Sequence, residues 1–439
     1  MKLLAAEYLL PIDTGPIRDG VIAIDDGRIV AVGKRESFVS SFPGVPVTDF
    51  GTAAILPGFV NCHSHLELTS LRGALDRDEH DFRGWLLKLN SLRAEMTPED
   101  LENAAYNGAI EGAQAGVTFF ADIARFGDAA VRGLARSGLR GIVFQETEFS
   151  PDNRTAETDM KALAEKFEKL YGGASSLVHV GLSPHSPYTV SSKLFELIAQ
   201  YSIINRIPLS IHVAESKSEM ELFIEGQGFF TEVYEQFGVE WNSPLCSPVQ
   251  YLERLGVLSA RPLLAHCVRV TDEDLIRISS NGSAIAHCPR SNAKFGHGTA
   301  PFAKFLENGI VTGLGSDSVA SNNTCDLIEE SRFAVLSARN MQDPVRFLTA
   351  RDGLYAATLG GAGAVGMASE IGSLTPGKFA DITVISLDNV AQKPINDVEA
   401  AIIFSSNARD VVCTMVAGEI VYSANKKIGL DRPIPDRNT

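Results

Sequence analysis

Eight short apolar runs recur through the middle of this chain. They are AILPGFVNC (54–62), GVTFFADI (116–123), RGIVFQE (140–146), LVHVGLSP (177–184), PLSIHVAE (208–215), PLLAHCV (262–268), SAIAHCP (283–289) and VTGLGSD (311–317). Near-continuous apolar runs of this length suit strands buried on both faces of a parallel sheet. Helix-like stretches lie between most of them. In TPEDLENAAYNGAIEGAQAG (97–116), Thr97 is placed to cap the helix, Pro98 takes its first position and Gly116 ends it. Eight buried strands alternating with helices over about 260 to 300 residues suit a (β/α)8 barrel. A doubly wound open sheet is the alternative, but no G-x-G-x-x-G follows the first strand.

The two ends of the chain are patterned differently. Residues 1–50 read as short strands, and Asp26-Gly27 between GVIAI and RIVAVG is a type I′ hairpin signal. ADITVIS (380–386) and VVCTMVAGEIVYSA (411–424), with Ala417-Gly418 at the bend, read the same way. The expectation is an α/β protein with a small β-sandwich built from both ends: residues 1–54 and 376–439 in the sandwich, 55–375 in the barrel.

The 439 residues carry 39 Lys+Arg against 54 Asp+Glu, a net charge of −15, with 45% hydrophobic residues. So much apolar material argues against a disordered chain, and the acidic balance argues against a nucleic-acid partner. The six cysteines form no C-x-x-C pair, so neither disulfides nor a thiolate zinc site is expected, and a reducing cytoplasm is the default compartment. Glu7, Asp13 and Asp19 interrupt the apolar start; no signal peptide, membrane span or membrane partner is expected.

Most of the nine histidines fall at or near the ends of the eight runs, where barrel enzymes carry their chemistry. His63 and His65, in NCHSH, can face one ion, because residues i and i+2 of a strand share a side. His212 closes the fifth run and Glu215 follows it as a candidate proton carrier. His266 ends the sixth run and Asp317 the eighth. Taken singly, H-x-H is a common loop pair, His212 could be a satisfied core residue, and Asp317 could cap a helix. Together, three histidines and a carboxylate form a set that zinc or ferrous iron accepts, with a position open to water.

These segments resemble the amidohydrolase superfamily, in the cytosine-deaminase and chlorohydrolase-like branch that includes S-adenosylhomocysteine and methylthioadenosine deaminases. PGFVNCHSH, HVAES, HCPRSN, GLGSDSVASNN and GSLTPGKFADITVI carry the resemblance over nearly the whole chain. It implies a barrel with a β-sandwich from both ends. It also implies His63, His65, His212 and Asp317 as metal ligands, Glu215 as proton shuttle, and His266 as the residue orienting the attacking water. His185, in SPHSPYT, matches a substrate-contacting histidine. Binuclear relatives use a carboxylated lysine on the fourth strand, where this chain has GLSPHSP, so one divalent metal is expected: zinc, with iron as the alternative.

Within the branch, CHSHLELTSLRG, the following W-L-x-x-L helix and HCPRSN most resemble aminodeoxyfutalosine deaminases of menaquinone biosynthesis. The resemblance implies hydrolytic release of ammonia from a 6-aminopurine nucleoside, by hydroxide made on the metal. Such a substrate bears a carboxylate, for which Arg290 is the candidate anchor. Glu95 lies near the place of a ribose-binding carboxylate. Methylthioadenosine, S-adenosylhomocysteine or adenosine deamination is the second reading, and another heterocyclic amino- or chlorohydrolase the third. A non-enzymatic scaffold is disfavoured because no ligand is missing. His287, His297 and homo-oligomerisation are left without assignment, and Phe82 and Trp85 are expected on an amphipathic lid helix.

Overall fold

The computed structural model describes residues 1–341 and 346–424. At the amino end are β1 (Lys2–Leu9), β2 (Ile17–Asp25), β3 (Arg28–Lys34), β4 (Val47–Asp49) and β5 (Ala53–Pro57). The ring strands are β6 (Phe59–Ser64), β7 (Val117–Ala124), β8 (Arg140–Glu146), β9 (Val178–Ser183), β10 (Ser210–Val213), β11 (Leu263–His266), β12 (Ala284–His287) and β13 (Thr312–Leu314). The last three are β14 (Ile382–Ser386), β15 (Val411–Val416) and β16 (Glu419–Ser423).

Both chain ends meet in one mixed sheet of order β16-β15-β14-β5-β1-β2-β3. β1 forks: its Leu3–Ala5 pair with β4 and its Tyr8–Leu9 with β5. The expected meeting of the two ends is therefore present as a single forked sheet rather than as two separately paired layers. Asp26 and Gly27 adopt φ of 46° and 72°, both positive as a type I′ hairpin requires, and Ala417-Gly418 repeat the geometry between β15 and β16. The 54/55 boundary falls inside β5, and residues 425–439 of the carboxyl-terminal segment lie outside the described residues.

β6 to β9 form one four-stranded parallel sheet in chain order and β10 to β13 another. Parallel bridges Leu182–Leu209 and Ser64–Asp317 join their free edges, so the eight strands close in cyclic order, the pairing of a (β/α)8 barrel. A buried cluster draws Val60 and Cys62 from β6, Phe119 and Ala121 from β7, Leu263 from β11 and Ala284 and Ala286 from β12. Residues from opposite sides of the ring touch there, so its lower interior is packed core.

The run 54–62 is two strands, not one. β5 belongs to the end sheet and β6 to the ring, and Gly58 is the joint: its amide donates to the Asp381 carbonyl, and a Cβ there would lie 2.1 Å from Thr118. At the same joint Arg140, buried at the start of β8, pairs with Asp381 at 2.9 Å and stands over the Phe379 ring. The helix Pro98–Gln114 starts as expected, with Thr97 and Asp100 in a reciprocal capping box. Among the described residues no helix is long and apolar enough to cross a membrane.

Candidate active site

The carboxyl ends of the ring strands bring His63, His65, His212, Glu215, His266 and Asp317 together. Nitrogen atoms of His63, His65 and His212 lie within 4.8 Å of one another, as do ligand atoms of His63, His266 and Asp317. Asp317 Oδ1 stands 3.4 Å from His63 Nε2 and 3.6 Å from His65 Nε2. Its other oxygen accepts hydrogen bonds from Ser291 (2.5 Å) and Ser321 (2.9 Å), leaving Oδ1 to face the histidines.

The backbone bends to make this possible. Ala214, His266, Cys267 and Asp317 all take positive φ, between 48° and 72°. For residues other than glycine this conformation costs of the order of 1–3 kcal/mol each, and it clusters where function over-determines the chain. Buried Glu219 holds one of these bends by accepting the amides of Ala214 (3.0 Å) and Glu215 (2.8 Å).

Hydrogen bonds set the imidazole tautomers. His65 Nδ1–H donates to the Ile123 carbonyl at 2.9 Å, and His212 Nδ1–H to the His185 carbonyl at 3.0 Å. His266 Nδ1 donates to Asn292 Oδ1 at 3.0 Å. Each neutral ring then aims an Nε2 lone pair inward. His65 Nε2 and His212 Nε2 face each other at 3.2 Å, an arrangement of two lone pairs that a cation between them relieves. His63, fully buried, has no hydrogen-bond partner at either nitrogen. These donors fit one divalent metal, with oxygen and nitrogen ligands that suit zinc and ferrous iron alike. Burial holds the His65 and His266 rings near a pKa of about 3, neutral and available as donors.

Glu215 stands beside this cluster, its Oε1 3.8 Å from His266 Nε2 and 3.6 Å from His297 Nε2. Burial, reinforced by the Asp317 charge, pushes its carboxyl well above the usual range. A carboxyl so placed is suited to carry a proton near neutrality. His297 thus sits next to Glu215, with Phe82 edge-on to its ring at 4.8 Å. His287 instead packs against Phe302 and Phe305, away from the cluster.

The cluster floors a cavity of about 720 Å³. His185 lines it, its ring 4.7 Å from that of His212 and its Nε2 3.8 Å from Glu146. The helix Phe82–Ala94, where a lid helix is expected, forms one wall through Trp85 and Leu89. Leu87, Phe126, Phe149 and Phe237, all markedly exposed, converge from four separate segments on the same cavity.

Two of the residues expected to bind substrate lie outside the cavity lining. Arg290, in the first turn after β12, is absent from the cavity lining; its Nη1 bonds Thr324 (2.7 Å) and pairs with Glu329 (3.0 Å) and Glu330 (3.7 Å). The fully buried Glu330 carboxylate draws it away from the cavity. Glu95, at the end of the lid helix, is exposed and also outside the lining. Two residues earlier Arg93 points inward, as a helical turn of 100° per residue requires. The charged groups lining the outer cavity are Arg93, Arg125, Glu146 and Glu148.

The amidohydrolase family model matches residues 54–421. The chain belongs to the amidohydrolase family. It is 31% identical over 407 residues to a 5-methylthioadenosine/S-adenosylhomocysteine deaminase of Symbiobacterium thermophilum, covering 92% of this chain and 89% of the relative. An adenosine deaminase from Xanthomonas campestris with bound zinc superposes with a TM-score of 0.79 at 25% identity, over 95% of this chain and 92% of that one. The Helicobacter pylori aminofutalosine deaminase, in complex with methylthio-coformycin, superposes with a TM-score of 0.81 at 22% identity, over 96% and 100%. These full-length matches carry the barrel and the small added domain of the family into this chain.

Proposed function

We propose that this protein is a metal-dependent hydrolytic deaminase of a 6-aminopurine nucleoside, with aminodeoxyfutalosine as its preferred substrate. The observation that carries the reaction class is Glu215, a buried carboxyl within 4 Å of both His266 and His297 and beside the three-histidine, one-aspartate cluster. His63, His65, His212 and Asp317 hold the metal in this reading. When bound, the metal supplies the Lewis acidity that activates water at neutral pH.

The remaining steps belong to the chain's own groups. Glu215 takes a proton from the attacking water and delivers it to the ring nitrogen beside the amino-bearing carbon. The water oxygen bonds to that carbon, its second proton passes to the amino nitrogen, and the C–N bond breaks as the ring carbonyl forms, so that the nitrogen leaves as ammonia. His266, kept neutral by burial and oriented by Asn292, directs the water. The 2-for-1 division of Asp317, one oxygen on two serines and one toward the histidines, keeps the ligand cluster fixed while the proton moves.

The preference for a long substrate draws on the outer cavity. Its exposed aromatic residues suit an apolar, aromatic extension of the nucleoside, and Arg125, which pairs with Glu148 in the cavity wall, suits a substrate carboxylate that takes over from that partner. Methylthioadenosine/S-adenosylhomocysteine deamination is the second reading, favoured by the relatives at about one-third identity. Ammonia release from a panel of aminopurine nucleosides, assayed on zinc-loaded protein, separates them. The highest kcat/KM is expected for aminodeoxyfutalosine; a higher value for methylthioadenosine establishes the second reading, and no release from any nucleoside rejects both.

A further inference from the structure

One buried carboxylate belongs neither to the ligand cluster nor to the proton path. Glu67, fully buried, lies two residues beyond His65 in the short turn Leu66–Leu71. Its Oε2 accepts the Phe126 amide at 2.9 Å; its Oε1 accepts the Arg125 amide at 3.2 Å and faces Arg93 Nη1 at 3.4 Å. The segment it starts from is pinned independently. Asp122 accepts the Leu66 amide at 2.7 Å and the Ser64 hydroxyl at 2.8 Å, and His65 Nδ1 reaches Ile123.

A charge this deep is costly unless every lone pair is used, and the three groups Glu67 uses are all cavity wall. Arg93 comes from the lid helix, Arg125 and Phe126 from the end of β7, and each lines the cavity. No other described carboxylate bonds the amides of both Arg125 and Phe126. We infer that Glu67 is a positioning residue that fixes Arg93, Arg125 and Phe126 as the wall receiving the distal part of the substrate, and so sets the preference for long over short nucleosides. The kinetic side of this inference rests on the function proposed above; the structural side does not.

The test uses the full-length, zinc-loaded protein and its Glu67→Gln variant, which exchanges one acceptor oxygen for an amide and removes the charge facing Arg93. Amide hydrogen exchange across 124–127 should speed at least tenfold, with 59–64 unchanged. The ratio of kcat/KM for an aryl-carboxylate-bearing aminopurine nucleoside to that for adenosine should fall at least tenfold, with metal content at the wild-type level. An unchanged ratio overturns the inference, as does unchanged exchange. Metal loss with equal damage to both substrates also overturns it, by making Glu67 a support of the ligand segment. If Glu67→Gln does not fold, Glu67→Asp keeps the charge but shortens the reach, and the same two readouts decide. If the wild type deaminates no nucleoside, the proposed function fails and the exchange result alone decides the role of Glu67.

Discussion

The Asp317 amide donates to the His63 carbonyl at 2.9 Å, so the first and last strands of the ring are joined by main chain at two residues that both belong to the histidine–aspartate cluster. The seam that closes the ring therefore also places two members of the cluster. A change that opens this seam should cost metal affinity before it costs secondary structure.

Gly315 tests that seam. A Cβ there would lie 2.7 Å from the His63 Cβ and 2.9 Å from its amide nitrogen. Gly315→Ala should displace β6 from the last strand, at the roughly 1–3 kcal/mol typical of overpacking. Zinc affinity, measured by competition with a chromogenic chelator, should fall at least tenfold while far-ultraviolet circular dichroism stays near wild type.

Metal stoichiometry is the second prediction. Elemental analysis of active protein should approach one equivalent per chain, and chelation should abolish turnover until zinc is restored. Asp317→Ala should do the same irreversibly, because it removes a ligand rather than core volume. Two tightly held metals, both required for activity, would contradict the mononuclear site.

Glu215→Gln keeps size and shape but cannot shuttle a proton. General acid–base groups contribute ~10²–10⁴-fold, so kcat should fall by at least that range with metal content unchanged. A nearly normal rate with metal bound would assign the proton path elsewhere.

The two arginines should separate cleanly. Arg125→Ala should weaken use of a carboxylate-bearing nucleoside by roughly ten- to hundredfold, the worth of a charge-assisted hydrogen bond, with a smaller effect on adenosine. Arg290→Ala should instead lower thermal stability, since it leaves buried Glu330 without its cation. Its effect on kcat/KM should be alike for both substrates.

Breaking the buried Arg140–Asp381 pair should be costly and remote from chemistry. Asp381→Asn leaves the guanidinium charge unpaired against the Phe379 ring, a loss of roughly 3–5 kcal/mol in systems of this kind. Chemical denaturation should register it as a lower midpoint, with kcat per folded molecule unchanged.

The sequence made the ring strands legible because a strand buried on both faces leaves a short apolar run, and seven of the eight runs contain one strand each. The eighth, 54–62, hid a domain joint: Pro57 and Gly58 read as part of one strand, and only the approach of Asp381 and Thr118 shows why the chain must turn there. His63, His65, His212 and Asp317 were legible as residue types at strand ends. Arg290 and Glu95 were not, because local pattern does not say which way a side chain leaves a one-turn helix or a helix end. Arg290 answers to Glu330, which lies 40 residues away in sequence. Arg93, Arg125 and Glu146 carry no motif, and Glu67 lies within CHSHLELTSLRG without any local sign of its partners; their roles become visible only when β7, β8 and the lid helix close on the same space.

The forked sheet has a consequence for how this chain comes into being. Pro57 pairs with Ile382, and β15 then covers β14. During synthesis β5 therefore waits, unpaired on one edge, until almost the entire barrel has left the ribosome. Loop closure over such a span is slow to be rewarded, so the joint at Gly58 is set only after the barrel segment and β14 have both been made.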